Sequence, residues 1–186
     1  MIRQRLARTL TRLMRFRMVG SVPERGVLVG APHTSNWDFL TMLLVMWHDG
    51  VHPRVLVKHE LFTGPVGWLV RRLGGVPLDR ANPSGVVQAF VDEAAADHAF
   101  RLVIAAEGTR SAGEYWKSGF LRIAHEAQVP VTLAFFEPST RTMGFGPSFV
   151  PSGDHTADMD LVRAFYADKQ GLKPANRTEP RLREEG

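Results

Sequence analysis

Short apolar runs alternate with longer amphipathic stretches from residue 27 onward, and this alternation constrains the fold more than any other feature. The runs have the length and branched residues of buried strands, and the stretches between them have helical spacing. Strands are predicted at 27–31, 54–57, 76–78, 102–105 and 130–136, with a weak edge strand or hairpin arm at 142–150. Helices are predicted at 37–47, 61–73, 82–98, 120–128 and 157–169. This order predicts an α/β fold, a single domain with a mixed or parallel sheet flanked by helices, whose functional site lies in the loops that follow the strands.

The chain has 186 residues, enough for one domain with a sizeable core. We assign residues 1–20 to a basic amphipathic N-terminal helix, 21–172 to the domain and 173–186 to a polar, proline-containing tail that we expect to be loose. The absence of cysteine excludes a disulfide framework, a thiol nucleophile and Cys-based metal sites. No apolar run approaches the roughly 18 residues of a transmembrane helix, so we expect none.

Basic residues are concentrated at the N-terminus. The net charge is +4, but residues 1–20 contain six arginines and no acid, which leaves the rest of the chain slightly acidic. At helical spacing, an arginine side faces away from an apolar side formed by Ile2, Leu6, Leu10, Leu13 and Met14. Three interpretations stay open: a helix on an anionic bilayer, a helix docked on the protein with its arginines solvated, and a targeting peptide. Such local basicity argues against nucleic-acid binding.

Several familiar catalytic motifs are absent from the sequence. It contains no G-x-S-x-G elbow of a serine hydrolase, no Walker A motif and no G-x-G-x-x-G. His48 and His52 have the spacing of a helical metal pair, but Gly50 and Pro53 disfavour a helix there. We therefore expect no metal site.

One loop between a predicted strand and a predicted helix combines a histidine with a carboxylate. His33 lies in the loop and Asp38 in the first helical turn. If the loop curls back, the carboxylate can orient the imidazole as a general base and stabilise its protonated form. The alternative is a loop histidine bonded to backbone and a capping box, because Ser35-x-x-Asp38 precedes an apolar run.

Charged residues follow three other predicted strands. Lys58, Arg80 and the run from Glu107 to Arg110 each come directly after a strand, and so converge on one edge of a parallel sheet. A base beside such cations suits a substrate that carries a hydroxyl and a phosphate. The alternative is solvated loop charges with a weak local salt bridge between Glu107 and Arg110.

Taken in order, these motifs resemble the lysophospholipid and glycerol-phosphate acyltransferases. The resemblance begins with His33-x4-Asp38 and Glu107-Gly108-Thr109-Arg110 and extends over about residues 26–136. It includes Lys58-x-Glu60-Leu61, Gly75-Val76-Pro77-Leu78-Asp79-Arg80, Lys117-Ser118-Gly119-Phe120 and Val129-Pro130-Val131. The chain departs from the usual pattern at Pro32, at Ala105 and Ala106, and at Leu133.

The resemblance implies a glycerol-phosphate-acyltransferase-like fold and a role for each matching residue. His33 would deprotonate an acceptor hydroxyl, oriented by Asp38, and the hydroxyl would attack the thioester of acyl-CoA or an acyl-carrier protein directly. No cofactor beyond that co-substrate is implied. The remaining matches would bind substrate: Arg80, Glu107 and Arg110 hold a phosphate-bearing lipid acceptor, Gly108 permits close approach, Thr109 completes the motif, and Lys58 and Lys117 add anion contacts.

Two other functions stay open at this point. One is a hydrolase that uses His33 to activate water on a thioester or lipid ester, and the other is a non-catalytic lipid-binding module of the same fold. For the leading interpretation, we expect a cytoplasmic protein held peripherally on the inner face of the cell membrane, with residues 1–20 on anionic lipid.

Overall fold

A mixed β-sheet forms the centre of the protein, as seen in a computed structural model that describes residues 2–79 and 81–185. The helices are α1 (Ile2–Leu13), α2 (Asp38–His48), α3 (Gly64–Arg72), α4 (Pro83–Ala96), α5 (Gly119–Glu126) and α6 (His155–Tyr166). The strands are β1 (Arg17–Val19), β2 (Gly26–Gly30), β3 (Val55–Lys58), β4 (Gly75–Leu78), β5 (Arg101–Ile104), β6 (Val131–Glu137) and β7 (Thr142–Phe149). Short 3₁₀ turns lie at His59–Phe62, Pro174–Asn176 and Arg183–Glu185.

The strands follow the order β1-β7-β6-β2-β5-β3-β4, and only the β6–β7 pair is antiparallel. β2 lies between β5 and β6 and is buried along almost its whole length, as its uninterrupted apolar run requires. The α/β fold predicted from the sequence is therefore confirmed. The weak strand at 142–150 is an internal strand, because β1 pairs with its outer edge.

Helices cover both faces of the sheet. Val27 and Val29 of β2 join the larger core cluster, to which α4, α5 and α6 contribute. Leu28 points to the other face and packs in a smaller cluster with residues of α2. This alternation follows from the two-residue period of a strand. α1 packs on α2 from outside.

The predicted helix over residues 1–20 is wrong beyond residue 13. The backbone turns at Arg15, where φ is +57°, and the chain then runs as edge strand β1 beside β7. Phe16 anchors this turn by stacking on Phe136, with 4.9 Å between ring centroids. The alternating apolar residues Phe16 and Met18 fit a strand better than a helix, because both pack on the smaller cluster.

The predicted loose tail is also wrong. The C-terminal segment (residues 171–185) lies against the domain and buries Thr178 and Leu182 to 1% exposure each. Trp116 bonds to it twice, since its backbone N–H donates to the carbonyl of Arg181 and its indole N–H to the carbonyl of Thr178. The composition suggested a loose tail because the few buried residues of this segment, such as Thr178 and Leu182, lie among many polar residues.

We expect Leu182→Ala to lower the free energy of unfolding by about 2–5 kcal/mol, the range for a leucine removed from a core. Thermal melts would measure the change, with Glu179→Ala, an exposed position in the same segment, as the control. Equal melting temperatures for both variants would support the interpretation that the C-terminal segment is a loose tail.

Candidate active site

The site lies where β2 ends at the sheet's carboxyl edge. Two residues separate Gly30, the last residue of β2, from His33, and α2 begins at Asp38. The loop between them curls so that His33 Nδ1 lies 3.4 Å from Asp38 Oδ2. That separation lies within ion-pair range and is longer than a usual hydrogen bond. Both side chains are mostly buried, at 20% and 11% exposure.

The carboxylate of Asp38 also caps the loop. Its Oδ2 accepts the backbone N–H groups of Thr34 at 2.6 Å and Ser35 at 2.7 Å. Ser35 Oγ accepts the N–H of Trp37 at 3.3 Å rather than that of Asp38, so only the Asp38-to-Ser35 half of the predicted capping box is formed. The two interpretations of Asp38 are therefore compatible, because the bonds that cap the loop also fix the carboxylate beside His33.

Glu107 lies behind His33 and is buried to 2% exposure. Its Oε1 accepts the backbone N–H of His33, and its Oε2 accepts the N–H of Thr178 at 3.1 Å. Burial raises the pKa of Glu107 above its usual value, and these two hydrogen bonds oppose that shift. The local salt bridge considered for Glu107 and Arg110 is not formed, because both carboxylate oxygens bond to backbone.

Three of the predicted cations lie around the same cavity as His33. Lys58 ends β3, Arg110 follows β5 and Lys117 precedes α5, and all three side chains are exposed. Their side chains make no hydrogen bond or ion pair with residues 2–79 and 81–185. Arg80, the fourth predicted cation, lies outside the described residues. Of the cations predicted to converge on one sheet edge, Lys58 and Arg110 thus lie at this cavity, and Lys117, which only the family resemblance assigned, lies there too.

Gly108 and Thr109 form the turn between Glu107 and Arg110. Gly108 has φ +68°, a conformation that favours glycine, and a Cβ there would lie 3.3 Å from Lys117 Cγ. Thr109 Oγ1 shares a hydrogen bond of 3.1 Å with Ser111 Oγ. Both residues line the cavity. The geometry accounts for glycine at 108 and brings the Thr109 hydroxyl to the rim.

The cavity has a volume of about 1450 Å³ and a largely apolar interior that sequence reasoning missed. It extends from His33 to the face of the sheet that α2 covers. Apolar side chains of α2 and of four strands line this part: Leu28, Phe39, Met42, Val45, Met46, Val55, Phe136 and Phe145. The spacing of Phe39, Met42 and Met46 indicates one helix face, but the same spacing is expected of a filled core.

Exposed apolar side chains near the cavity were missed as well. Trp37 and Leu40 at the start of α2 are 66% and 45% exposed, and Trp68 and Leu69 of α3 are 66% and 48% exposed. The cavity is lined by residues of both helices, including Phe39 and Val70. The four exposed side chains lie close in the sequence to lining residues and do not themselves line the cavity.

The histidines considered for a metal bind other groups. His48 Nδ1 lies 3.0 Å from Asp49 Oδ1, and His52 Nδ1 lies 3.0 Å from Arg3 Nη1. Arg3 and Arg72, together with burial as the largest cause, lower the pKa of His52. Within residues 2–79 and 81–185, no cluster of three metal-ligating side chains is present.

Fold and site together define an α/β protein with a histidine–carboxylate pair at the carboxyl edge of its sheet, beside cations that make no ion pair with residues 2–79 and 81–185. A family model described as Acyltransferase matches residues 12–133, more than half of the chain. The chain belongs to the acyltransferase family, and the resemblance drawn from its motifs is confirmed at that level.

A solved structure supports the fold. The chain is similar to the 1-acyl-sn-glycerophosphate (LPA) acyltransferase PlsC from Thermotoga maritima, with a TM-score of 0.60. The match covers 89% of this chain and 77% of that chain at 18% identity, so it bears on the fold alone. No curated protein sequence matches the chain.

Proposed function

We propose that this acyltransferase moves a fatty acyl group from a thioester donor, acyl-CoA or an acyl-carrier protein, to the hydroxyl of a lysophospholipid or glycerol-phosphate-type acceptor. The observation that carries the proposal is the His33–Asp38 pair at one end of a cavity with an apolar interior and a cationic rim. The apolar interior suits an acyl chain, and the rim suits phosphate. The name of the PlsC structure supports the same acceptor class.

The chemistry follows from which imidazole nitrogen lies toward Asp38. With Nδ1–H directed at the carboxylate, Nε2 of His33 accepts the hydroxyl proton as the acceptor oxygen attacks the thioester carbonyl carbon. The new C–O bond forms, the C–S bond breaks, and the imidazolium returns its proton to the departing thiolate. Asp38 stabilises the imidazolium between these steps.

Substrate anions would be held by the side chains at the rim. Lys58, Arg110 and Lys117 are charged and unpaired with described residues, so a phosphate can bind them without first breaking an ion pair. By resemblance to the family, Arg80 belongs to the same set. The resemblance also assigns Glu107 to the acceptor, and its backbone bonds suggest that it acts from behind His33 instead.

We expect His33→Ala to lower kcat by about a hundredfold or more, the scale of a lost general base. Asp38→Asn should also be severe, although Asn retains an oxygen that can accept the loop N–H groups. Thiol release from acyl-CoA, with and without lysophosphatidate, measures both rates. His98→Ala, an exposed histidine before β5, is the matched control. Full activity in Asp38→Asn would show that Asp38 only caps the loop. Thiol release that needs no acceptor would indicate a hydrolase.

We expect Arg110→Ala to raise the acceptor KM by about tenfold or more, because a charge-assisted phosphate bond is lost. The acyl-CoA KM should change little. Arg110→Lys keeps the charge without the planar guanidinium and should lose less. Steady-state kinetics with each substrate varied in turn measure both constants. A change confined to the acyl-CoA KM would assign Arg110 to the donor.

The second part of the proposal concerns the membrane, since a lipid acceptor is met at a bilayer surface. α1 buries only Ala7 and Thr11, which leaves Ile2, Leu6 and Leu13 at 84%, 50% and 73% exposure. Docking on α2 therefore uses one narrow side of the helix and leaves the apolar side open. In the described part of the chain, no helix is long and apolar enough to cross a bilayer. We infer peripheral attachment through α1, to the cytoplasmic leaflet of the cell membrane.

Two double variants test the attachment: Leu6→Ser with Leu13→Ser, and Arg5→Glu with Arg12→Glu. Each arginine near an anionic leaflet contributes about 1 kcal/mol, so the charge reversal should weaken vesicle binding roughly 20-fold or more. Co-sedimentation with phosphatidylglycerol vesicles, at low and high salt, measures the affinity. Leu161→Ser, which changes an exposed leucine on α6, is the control. Unchanged affinity for vesicles in both double variants would show that α1 only docks on the protein and does not attach it to a membrane.

A further inference from the structure

The C-terminal segment (residues 171–185) passes directly behind the loop that carries His33. At Gly171 the backbone has φ +69°, and a Cβ there would lie 3.1 Å from Thr34 Oγ1 and 3.2 Å from Pro32 Cβ. A side chain at this position would be strained at the positive φ and would require its neighbours in the loop to shift by a few tenths of an ångström. The C-terminal segment lies outside residues 12–133, which the family model matches.

Thr34, the neighbour of His33, is held by this segment at two points. The backbone N–H of Lys173 donates to Thr34 Oγ1 at 3.1 Å, and Asn176 Nδ2 donates to the Thr34 carbonyl at 3.1 Å. Thr34 is 1% exposed, so water has little access to either group. The position of His33 along the loop therefore depends on bonds from the C-terminal segment.

Glu107 makes a third connection between the segment and the loop. Its carboxylate joins the N–H of His33 to the N–H of Thr178. Thr178 is itself fixed, since its Oγ1 accepts the N–H of Gly113 at 2.9 Å and its carbonyl accepts the indole N–H of Trp116 at 3.0 Å. Gly113 and Trp116 belong to the loop after β5 that carries Arg110. The C-terminal segment thus connects the loop that carries His33 to the loop that carries Arg110.

We propose that the C-terminal segment positions the general base, with Thr34, Asn176 and Glu107 as positioning residues. This inference rests on the proposed role of His33. Small movements of a base cost rate because proton transfer needs hydrogen-bond distance to the acceptor hydroxyl. The segment bonds to Thr34 directly and to the N–H of His33 through Glu107. Asp38 lies beside the imidazole and accepts the N–H groups of Thr34 and Ser35. Acyl transfer by this chain therefore depends on residues beyond the family region.

The test compares Thr34→Val with Thr34→Ser. Valine is close to threonine in shape but leaves the Lys173 N–H without its acceptor, whereas serine keeps the hydroxyl. We expect kcat to fall about two- to tenfold in Thr34→Val, the net worth of one hydrogen bond, with both KM values unchanged, and to recover in Thr34→Ser. Asn176→Ala, at a partly exposed position, should reproduce the loss, and Glu179→Ala, in the same segment but away from the loop, should not.

A double-mutant cycle separates positioning from packing. In a chain that carries His33→Ala, adding Asn176→Ala or Thr34→Val should leave the residual rate unchanged, because there is no base left to position. A lowered melting temperature with unchanged kcat in Thr34→Val and Asn176→Ala would overturn the positioning role and leave a packing role. Full activity in His33→Ala alone would instead overturn the proposed function on which this inference rests.

Discussion

The parallel pairing of β2 with β5 is the constraint on which the site depends. Val29 of β2 pairs with Ile104 of β5. His33 follows Val29 in the sequence, and Glu107 follows Ile104 at a similar distance along the chain. Parallel strands end at the same edge, and the carboxylate of Glu107 therefore reaches the N–H of His33 although 74 positions separate them in sequence. A slip of one residue in this register would turn the side chains of β2 to the opposite face and separate the two groups.

The cavity at the carboxyl edge reaches the helices on both faces of the sheet, because its lining includes Met46 of α2 as well as Val87 of α4 and Phe120 of α5. On one face, α4, α5 and α6 close a core rich in aromatic side chains, where the Tyr166 hydroxyl lies 2.9 Å from a backbone carbonyl oxygen of β2 and from one of β6. On the other face, α2 covers part of the cavity, which Met42, Met46 and Phe145 line. Unfilled apolar space forgoes dispersion contacts and so destabilises the fold. Under the proposed function, an acyl chain bound in the cavity would restore those contacts, and this would link the affinity for substrate to the unfilled space.

The sequence predicted most of the sheet and named residues that the structure brings around one cavity, and its failures have physical causes. Alternating apolar runs identify β2 to β7 because buried parallel strands must be apolar on both sides. The same patterns missed β1, a strand of three residues, and the packing of the C-terminal segment, which depends on Leu182, Thr178 and a few backbone bonds. Neither has a periodicity long enough to detect. The position of Glu107 behind His33 was missed for another reason. A carboxylate three residues before an arginine suggests a salt bridge, and only the tertiary structure supplies its N–H partners.

The way in which carboxylates and cations are satisfied explains how an anionic substrate can be bound here. The described carboxylates at the base, Asp38 and Glu107, take their hydrogen bonds from backbone N–H groups of Thr34, Ser35, His33 and Thr178. Backbone donors meet the requirement of a buried carboxylate for hydrogen bonds without recruiting a lysine or an arginine. Lys58, Arg110 and Lys117 consequently keep their charge available at the rim of the cavity. Had these cations been paired with the two carboxylates, a phosphate would have to break each ion pair before it could bind, and would leave a buried carboxylate without its partner.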